Sequence, residues 1–537
     1  MVERDIKKIK ISNIDDPFIN IALDTIKRNK QALLFTSTKL SAEACADRIA
    51  KYLKEDPSLF EFSKKLLHTL ANPTKQCERL SKVARKGIVF HHAGLHQKQK
   101  ELVEEYFRKS KIKIICCTPT LAAGVDLPAF RTIIKDLKRY NENWGVPSWI
   151  PVLEYQQMAG RAGRPGKEDF GEAILIALTE KDKESLYERY ILGEVEDISS
   201  KLSSEPVLRV FTLSLIASEI VKNKKELFDF FKRTFFAYQY KDIKAVEKKI
   251  NKMLSLLLDF GFIQKKEDSK RSYDFISASD AKKERIDDVI QVTLLGKRVS
   301  QLYIDPLTAH NLILGIKKAP KKPPEFSILQ LISSQLELRP LVKAKKNDYE
   351  KINTKISEEF FLTEIPDIYD AFYSEFLDSI KTAMFFEDWI NEKTEEWILE
   401  KYNIRPGEIK AKIDNADWLL YAMEELARLL QRHEIIKEIA KLRMRVNEGV
   451  REELIPLLQL KGIGRVKARK LFNNKIKDLG DVKRSSLSTL AEIIGIKTAI
   501  KVKEQLGEKF VEEKKDILKN EKIKDRNYHQ TSLDNYG

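Results

Sequence analysis

Short β-branched and apolar runs at residues 31–36, 88–90, 111–117, 131–135 and 173–177 alternate with longer stretches in which apolar residues recur at helical spacing. Strand and helix in alternation predict a parallel sheet wrapped by helices. The helices include 41–53, with Ser41 as its expected N-cap, and 97–107. After about residue 195 the alternation stops. Helical patterns then lead into apolar runs at 260–264, 273–277 and 290–295, which predict three helices and a small strand pair, the form of a winged helix-turn-helix. From 301 to 445 nearly every stretch has helical period, punctuated by prolines from Pro306 to Pro406, which predicts a helical bundle. A smaller helical unit follows around Gly462-Ile463-Gly464, and 516–537 is a polar tail with little to bury. The expected fold class is multidomain α/β plus all-α, divided at 1–195, 196–300, 301–445, 446–515 and 516–537, with no internal repeat at solenoid periods.

A chain of 537 residues has room for about three or four domains. Its 42% hydrophobic and 33% charged residues exclude whole-chain disorder. No apolar stretch approaches the roughly 18 to 20 residues a bilayer demands, and the start, Met1-Val2-Glu3-Arg4, lacks a secretory core, so a cytosolic protein with no membrane partner is expected. Ninety-seven Lys and Arg against 81 Asp and Glu leave a net charge of +16, which attracts polyanions such as nucleic acid. Heavy Lys and Glu usage is also a thermophile habit, so motifs must decide. The four cysteines form no Cys-x-x-Cys pair and have no His at ligand spacing, so no metal site is expected; Cys116 and Cys117 fall in a buried-strand pattern as small hydrophobes.

The strongest motif is Gln157-Met158-Ala159-Gly160-Arg161-Ala162-Gly163-Arg164, two arginines interleaved with glycines ahead of a predicted strand. Guanidinium forks grip phosphate oxygens, and glycines let a backbone come close. Placed on one face of a helical turn, Arg161 and Arg164 are suited to reach a nucleotide γ-phosphate across a cleft and stabilise charge in phosphoryl transfer. This stretch resembles motif VI of superfamily-two helicases. Thr118-Pro119-Thr120, continuing through Gly124 and Asp126 to Pro128, resembles their motif V; Leu33 to Thr38 resembles motif IV, and His91-His92-Ala93-Gly94-Leu95 the motif that follows it. Order and spacing are similar to the second RecA-like domain of Ski-two-like helicases. The resemblance implies nucleotide contacts at Gln157, Gly160, Gly124 and Asp126, and backbone contacts to nucleic acid at Thr118 and Thr120. The competing reading of Asp126 is a simple turn residue.

The later regions narrow the family. Residues 137–150 predict a β-hairpin, which in those helicases is the strand-separating pin and here offers Tyr140 and Trp144; the competing reading packs Trp144 or Trp149 on its own domain. Residues 413–423 resemble the ratchet helix of the archaeal Hjm (Hel-three-zero-eight) DNA helicases, which implies that Trp418 stacks on single-stranded DNA; on an apolar helix a tryptophan is otherwise core. The family's basic residue two turns earlier falls on Ala411, leaving Lys410 and Lys412 as its neighbours. Residues 457–471 have the form helix, Gly462-Ile463-Gly464, helix, and resemble a helix-hairpin-helix that presents backbone amides, Arg465 and Lys467 to DNA phosphates. A weaker copy surrounds Gly495. The end of the chain, with Gln530, Leu533 and Tyr536, resembles the box that binds the sliding clamp (PCNA), although Gly537 stands where a second aromatic belongs.

Neither a Gly-x-x-x-x-Gly-Lys-Thr loop nor an Asp-Glu-x-His motif occurs. ATP and Mg2+ are therefore expected only with a first RecA-like domain from elsewhere, whether the sequence is truncated, split from a partner chain, or a decayed paralogue. The expected function is the C-terminal part of an ATP-dependent 3′ to 5′ helicase on forked or branched DNA. The rivals are a non-catalytic DNA-binding adaptor docked on the clamp and a related RNA helicase.

Overall fold

The computed structural model describes residues 10–70, 72–141, 146–164, 166, 168–265 and 289–507. The chain divides into two compact units, Met1–Asn311 with Thr394–Asn415, and Leu312–Lys393 with Ala416–Gly537.

The first unit is built on a parallel sheet of β1 (Ala32–Phe35), β2 (Ile88–His91), β3 (Ile114–Cys117), β4 (Arg131–Ile134) and β7 (Glu172–Leu175), in the order β2-β3-β1-β4-β7. Every strand expected from the pattern is present. The first four strands are buried along their whole length, because helices cover both faces of such a sheet, and this is why they appear as mostly apolar runs rather than as alternation. Leu34 lies opposite Cys116 on one side and Ile133 on the other. Arg131 is fully buried inside β4, where Asp24 (2.6 Å) and Glu172 (2.5 Å) neutralise its guanidinium. The helix expected at 41–53 is Lys39–Ala50, and its cap is Thr38, whose hydroxyl accepts from the Ser41 amide; Ser41 lies in the first turn instead. The helix expected at 97–107 is Gln97–Arg108. All four cysteines are buried free thiols, and burial pushes Cys45 up to about 11.

Beyond the sheet, β5 (Lys138–Asn141) and β6 (Val146–Trp149) pair antiparallel as the expected hairpin. Four helices follow, Glu205–Ala217, Lys224–Lys232, Phe235–Tyr240 and Ile243–Asp259, one more than the apolar pattern predicts. The extra break falls at Thr234, which is extended and turns its hydroxyl back onto the Phe231 carbonyl, 2.6 Å away. The strand pair is β8 (Ile263–Lys265) with β9 (Ile290–Val292); the run at 273–277 lies outside the described residues.

The second unit is helical. Glu325–Ser333 and Tyr373–Ile390 are almost wholly buried, as a bundle centre requires. Five short helices from Ile455–Leu458 to Ile496–Gln505 enclose a separate core of Leu457, Ile463, Leu471, Leu490 and Val502. Two helices, Pro306–Lys318 and Pro406–Leu429, begin among residues of the first unit and end among those of the second. Among the described residues no helix is long and apolar enough to cross a membrane.

Candidate nucleotide and nucleic-acid interface

The helix Val152–Ala159 stops at Gly160, so Arg161 and Arg164 do not share a helical turn as the spacing suggests. Arg161 lies in the turn that closes the helix and Arg164 in the irregular segment after it, beside the approach to β4, where the Ala129 amide donates to the Arg161 carbonyl (2.9 Å) and the Gly163 amide to the Ala129 carbonyl (2.7 Å). Gly163 takes φ +97°, which ends the helix direction and permits this pairing. Arg161 donates from Nε to the Ala122 carbonyl (3.0 Å) and again from Nη2, while its Nη1 is 3.3 Å from the Asp126 carboxylate. Arg164 donates from Nε to the Pro128 carbonyl (3.3 Å) and stands over the Phe107 ring at 5.9 Å; burial lowers its pKa from the usual guanidinium value. Carbonyl acceptors orient a guanidinium without cancelling its charge. Both arginines border an open depression of about 440 Å³ lined also by Asp126, Pro128, Glu168 and Phe170.

The motif V residues connect to this depression. Thr118 follows the last residue of β3, and its hydroxyl shares a 2.9 Å hydrogen bond with that of Thr120. The one-turn helix Thr120–Gly124 then carries the chain back toward β4, and it is the Ala122 carbonyl of this helix that holds Arg161. Strand ends are where ligands meet open α/β sheets, yet only the threonines stand at the strand ends; Asp126 and the arginines flank the edge where β4 and β7 begin. Gly124 and Asp126 are exposed, and a Cβ added at Gly124 meets open space. Gln157 is on the exposed face of its helix, and Gly160 is its C-cap. Among the described residues no group of three or more His, Cys, Asp or Glu side chains could hold a metal ion.

On the hairpin, Tyr140 occupies a β5 position opposite Pro147, and Trp144 lies outside the described residues. Trp149 packs on its own domain, edge-on to Tyr190 at 6.3 Å with the Lys138 ammonium 4.3 Å over its ring.

Trp418 sits on the helix Pro406–Leu429, half-buried beside the fully buried Leu419 and Leu420. Around it the second unit holds a network that spacing alone did not reveal. Arg443 grips the Asp417 carboxylate with two nitrogens (2.7 and 3.3 Å) and covers the Tyr421 ring at 4.9 Å; Asn447 donates to the same carboxylate at 2.6 Å. Earlier on the helix, Lys410 is exposed and paired with Asp414 at 2.7 Å, while burial lowers the pKa of Lys412.

In the helix-hairpin-helix, Gly462 takes φ +93° and Gly464 is the N-cap of Arg465–Asn473. Arg465 donates to the Lys393 carbonyl and stacks 4.6 Å from the Trp389 ring. Lys467 donates to the Thr498 hydroxyl at 2.6 Å and so ties the first hairpin to the second, where Gly495 takes φ +81°. Gln530, Leu533 and Tyr536 lie outside the described residues.

Four family models match along the chain: the helicase conserved C-terminal domain at 65–166, a helix-turn-helix domain at 171–264, archaeal helicase domain 4 at 326–449, and a SAM-like helix-hairpin-helix tandem at 454–508. Together with the parallel sheet and its arginine-lined depression, they define a helicase motor domain followed by helical nucleic-acid-binding modules. Similar curated proteins are the ATP-dependent DNA helicase Hel308 of Methanococcus vannielii, 37% identical over 95% of this chain and 69% of the relative, and that of Pyrococcus horikoshii, 38% identical over 89% of this chain and 64% of the relative. The Hel308 of Methanocella arvoryzae is 37% identical over 94% of this chain and 66% of its own length. The chain belongs to the Hel308 family of ATP-dependent DNA helicases, and it spans about two thirds of the length of these relatives.

Proposed function

We propose that these residues form the C-terminal motor and DNA-gripping part of an ATP-dependent helicase that moves 3′ to 5′ on forked or branched DNA, in the cytoplasm and associated with the chromosome. The five-part division at 195, 300, 445 and 515 is its domain plan: second RecA-like domain, winged helix, ratchet domain, helix-hairpin-helix and tail. The observation that carries the reading is the bond from Arg161 to the Ala122 carbonyl, because one side chain then joins the depression to the helix that begins at Thr120. Two guanidinium groups held by carbonyls suit a γ-phosphate arriving from outside. Arg161 and Arg164 orient and neutralise that phosphate. Gln157, Gly160, Gly124 and Asp126 border the nucleotide, Thr118 and Thr120 hold the DNA backbone, the hairpin bearing Tyr140 and Trp144 parts the strands, and Trp418 stacks on the strand that passes.

ATP supplies the energy for translocation, and Mg2+ comes with the first RecA-like domain that cradles the phosphates. Lys410, Lys412, Gly462, Gly464 and Lys467 supply further backbone contacts, whereas Arg465 serves packing. The tail, through Gln530, Leu533 and Tyr536, docks the sliding clamp; removal of 530–537 is expected to abolish clamp capture. The reading is tested by joining the chain to a first RecA-like domain and offering duplexes with a 3′ or a 5′ single-stranded overhang. ATP-dependent strand separation from the 3′ overhang alone is expected. Separation from the 5′ overhang, or none from either despite ATP turnover, contradicts it.

A further inference from the structure

The turn His91-His92-Ala93-Gly94-Leu95 has no part in the scheme above, yet it borders a buried charged cluster in the first unit. Glu43, on the helix Lys39–Ala50, is only 4% exposed. One of its carboxylate oxygens takes the Arg79 guanidinium at 2.6 Å; the other receives Arg405 Nε at 3.2 Å and faces His92 Nε2 at 3.2 Å. Arg79 also pairs with Asp47 at 2.6 Å. Burial keeps His92 below its ordinary pKa, and its Nδ1 accepts from the Gly94 amide at 3.1 Å. Two carboxylates and two guanidiniums thus balance, and the imidazole serves as a neutral spacer.

Arg405 immediately precedes the helix Pro406–Leu429, so this cluster is attached to the start of the helix that carries Trp418. The attachment is tight. The Gly407 amide donates to the Gly94 carbonyl at 3.0 Å. A Cβ at Gly94 would meet Arg405 Cδ at 2.3 Å, and one at Gly407 would meet the Ala93 and Leu95 carbonyls at 2.3 and 2.4 Å. Only a glycine on each side permits that approach. Glu408 closes the first turn by accepting from the Arg405 amide at 3.0 Å and is itself paired with Lys39. One helix earlier, Glu396 accepts from the Lys75 amide at 2.9 Å and adds a further tie to the sheet domain.

A surface contact would not need a buried carboxylate. Charges taken out of water are expensive, and removal of one partner leaves the other uncompensated, so the cluster favours one register of the helix start over any slipped one.

We propose that Glu43 and the turn at His91–Leu95 anchor the first turn of the Trp418 helix to the parallel-sheet domain, with Arg405 as the positioning residue that sets where Trp418 meets the DNA strand. Displacement of the sheet domain during the nucleotide cycle is then transmitted along the helix. The link to DNA rests on the reading of Trp418 given above; the anchor itself does not.

The test uses the 537-residue chain. Arg405→Ala leaves Glu43 paired with Arg79, so the sheet should keep its hydrogen-exchange protection while the Gly407 amide loses its own. Binding of an oligo-dT strand is expected to weaken about tenfold, within the range for loss of one stacked base. The tryptophan fluorescence quench on binding should shrink toward that of Trp418→Phe, and Arg405→Lys, which keeps a charge opposite Glu43, should recover part of both signals. The double variant Arg405→Ala with Trp418→Ala should bind no more weakly than Trp418→Ala alone. Retained protection at Gly407 in Arg405→Ala overturns the anchor. Lost protection with unchanged affinity and quench, or losses that multiply in the double variant, overturns its action through Trp418. Should Trp418→Ala bind as the unaltered chain does, the stacking reading fails by itself, and Gly407 exchange still decides the anchor.

Discussion

The chain carries two arginine pairs close to glycine turns, Arg161 and Arg164 after the helix end at Gly160 and Arg465 and Arg469 on the helix that Gly464 caps, and they are put to different uses. Arg161 and Arg164 end on backbone carbonyls at the rim of an open depression, with one exposed carboxylate at 3.3 Å. Arg465 and Arg469 are consumed within the second unit: Arg465 lies on Trp389, and Arg469 is held by Glu392 (2.5 and 2.8 Å) and Glu453 (2.8 Å), which raises its pKa. A guanidinium on a carbonyl is aimed but still carries charge for a ligand. One on two carboxylates is spent on packing. Only the partners tell the two pairs apart.

The largest effect that sharpens this contrast is on single-stranded DNA affinity. Trp418→Ala is expected to weaken oligo-dT binding by about 5- to 100-fold, since one stacked base contributes roughly 1 to 3 kcal/mol, while Arg465→Ala changes it less than about threefold. Fluorescence anisotropy measures both, and the reverse ranking would return Arg465 to the phosphate role. Next is stability. Arg469→Ala should cost about 1 to 2 kcal/mol in denaturant unfolding, because it strands Glu392 and Glu453, whereas Arg161→Ala should cost under about 1 kcal/mol.

Glycines give a finer test. Gly462 has φ +93°, so Gly462→Ala is expected to cost about 1 kcal/mol in melting experiments. Gly464 and Gly124 have open space where a Cβ would go, so alanine should leave the melting point unchanged at Gly124 and lower it only slightly at Gly464, whose N-cap position favours glycine over alanine. A fall in DNA binding for Gly464→Ala would then report a ligand that approaches the backbone, and unaltered binding would assign Gly464 to the turn alone.

The smallest effect is in acid. Burial holds His92 below its ordinary value of 6.5, so as pH falls from 7 to 5 the unfolded imidazole takes up a proton that the folded one refuses. Stability should drop by up to about 1 kcal/mol over that window, and His92→Gln should flatten the slope.

What the sequence shows and what it hides follow from the range of the interactions. Four of the five parallel strands are buried along their whole length, and the apolar residues this demands make them legible; β7, half-buried, is legible from its Ala173–Leu175 run. The hairpin and both Gly turns are legible because their chemistry is local. Sequence does not separate Ser41 from Thr38 as the cap, because the two lie three residues apart and both carry a hydroxyl that can accept from a helix amide. The arginines were expected on a helical turn because residue spacing does not reveal that Gly160 ends the helix. Arg465 against Trp389, Arg443 against Asp417 and Arg405 against Glu43 join residues far apart in sequence, and no local pattern marks such pairs.

The contrast between the two arginine pairs is tested most directly by ATP turnover, with Arg164→Ala and Arg469→Ala measured side by side after the chain is joined to a first RecA-like domain. Arg164→Ala should lose at least about 100-fold in turnover while it keeps its DNA affinity, and Arg469→Ala should turn over ATP normally but melt earlier. Equal turnover by the two variants would contradict the assignment of the depression to a triphosphate.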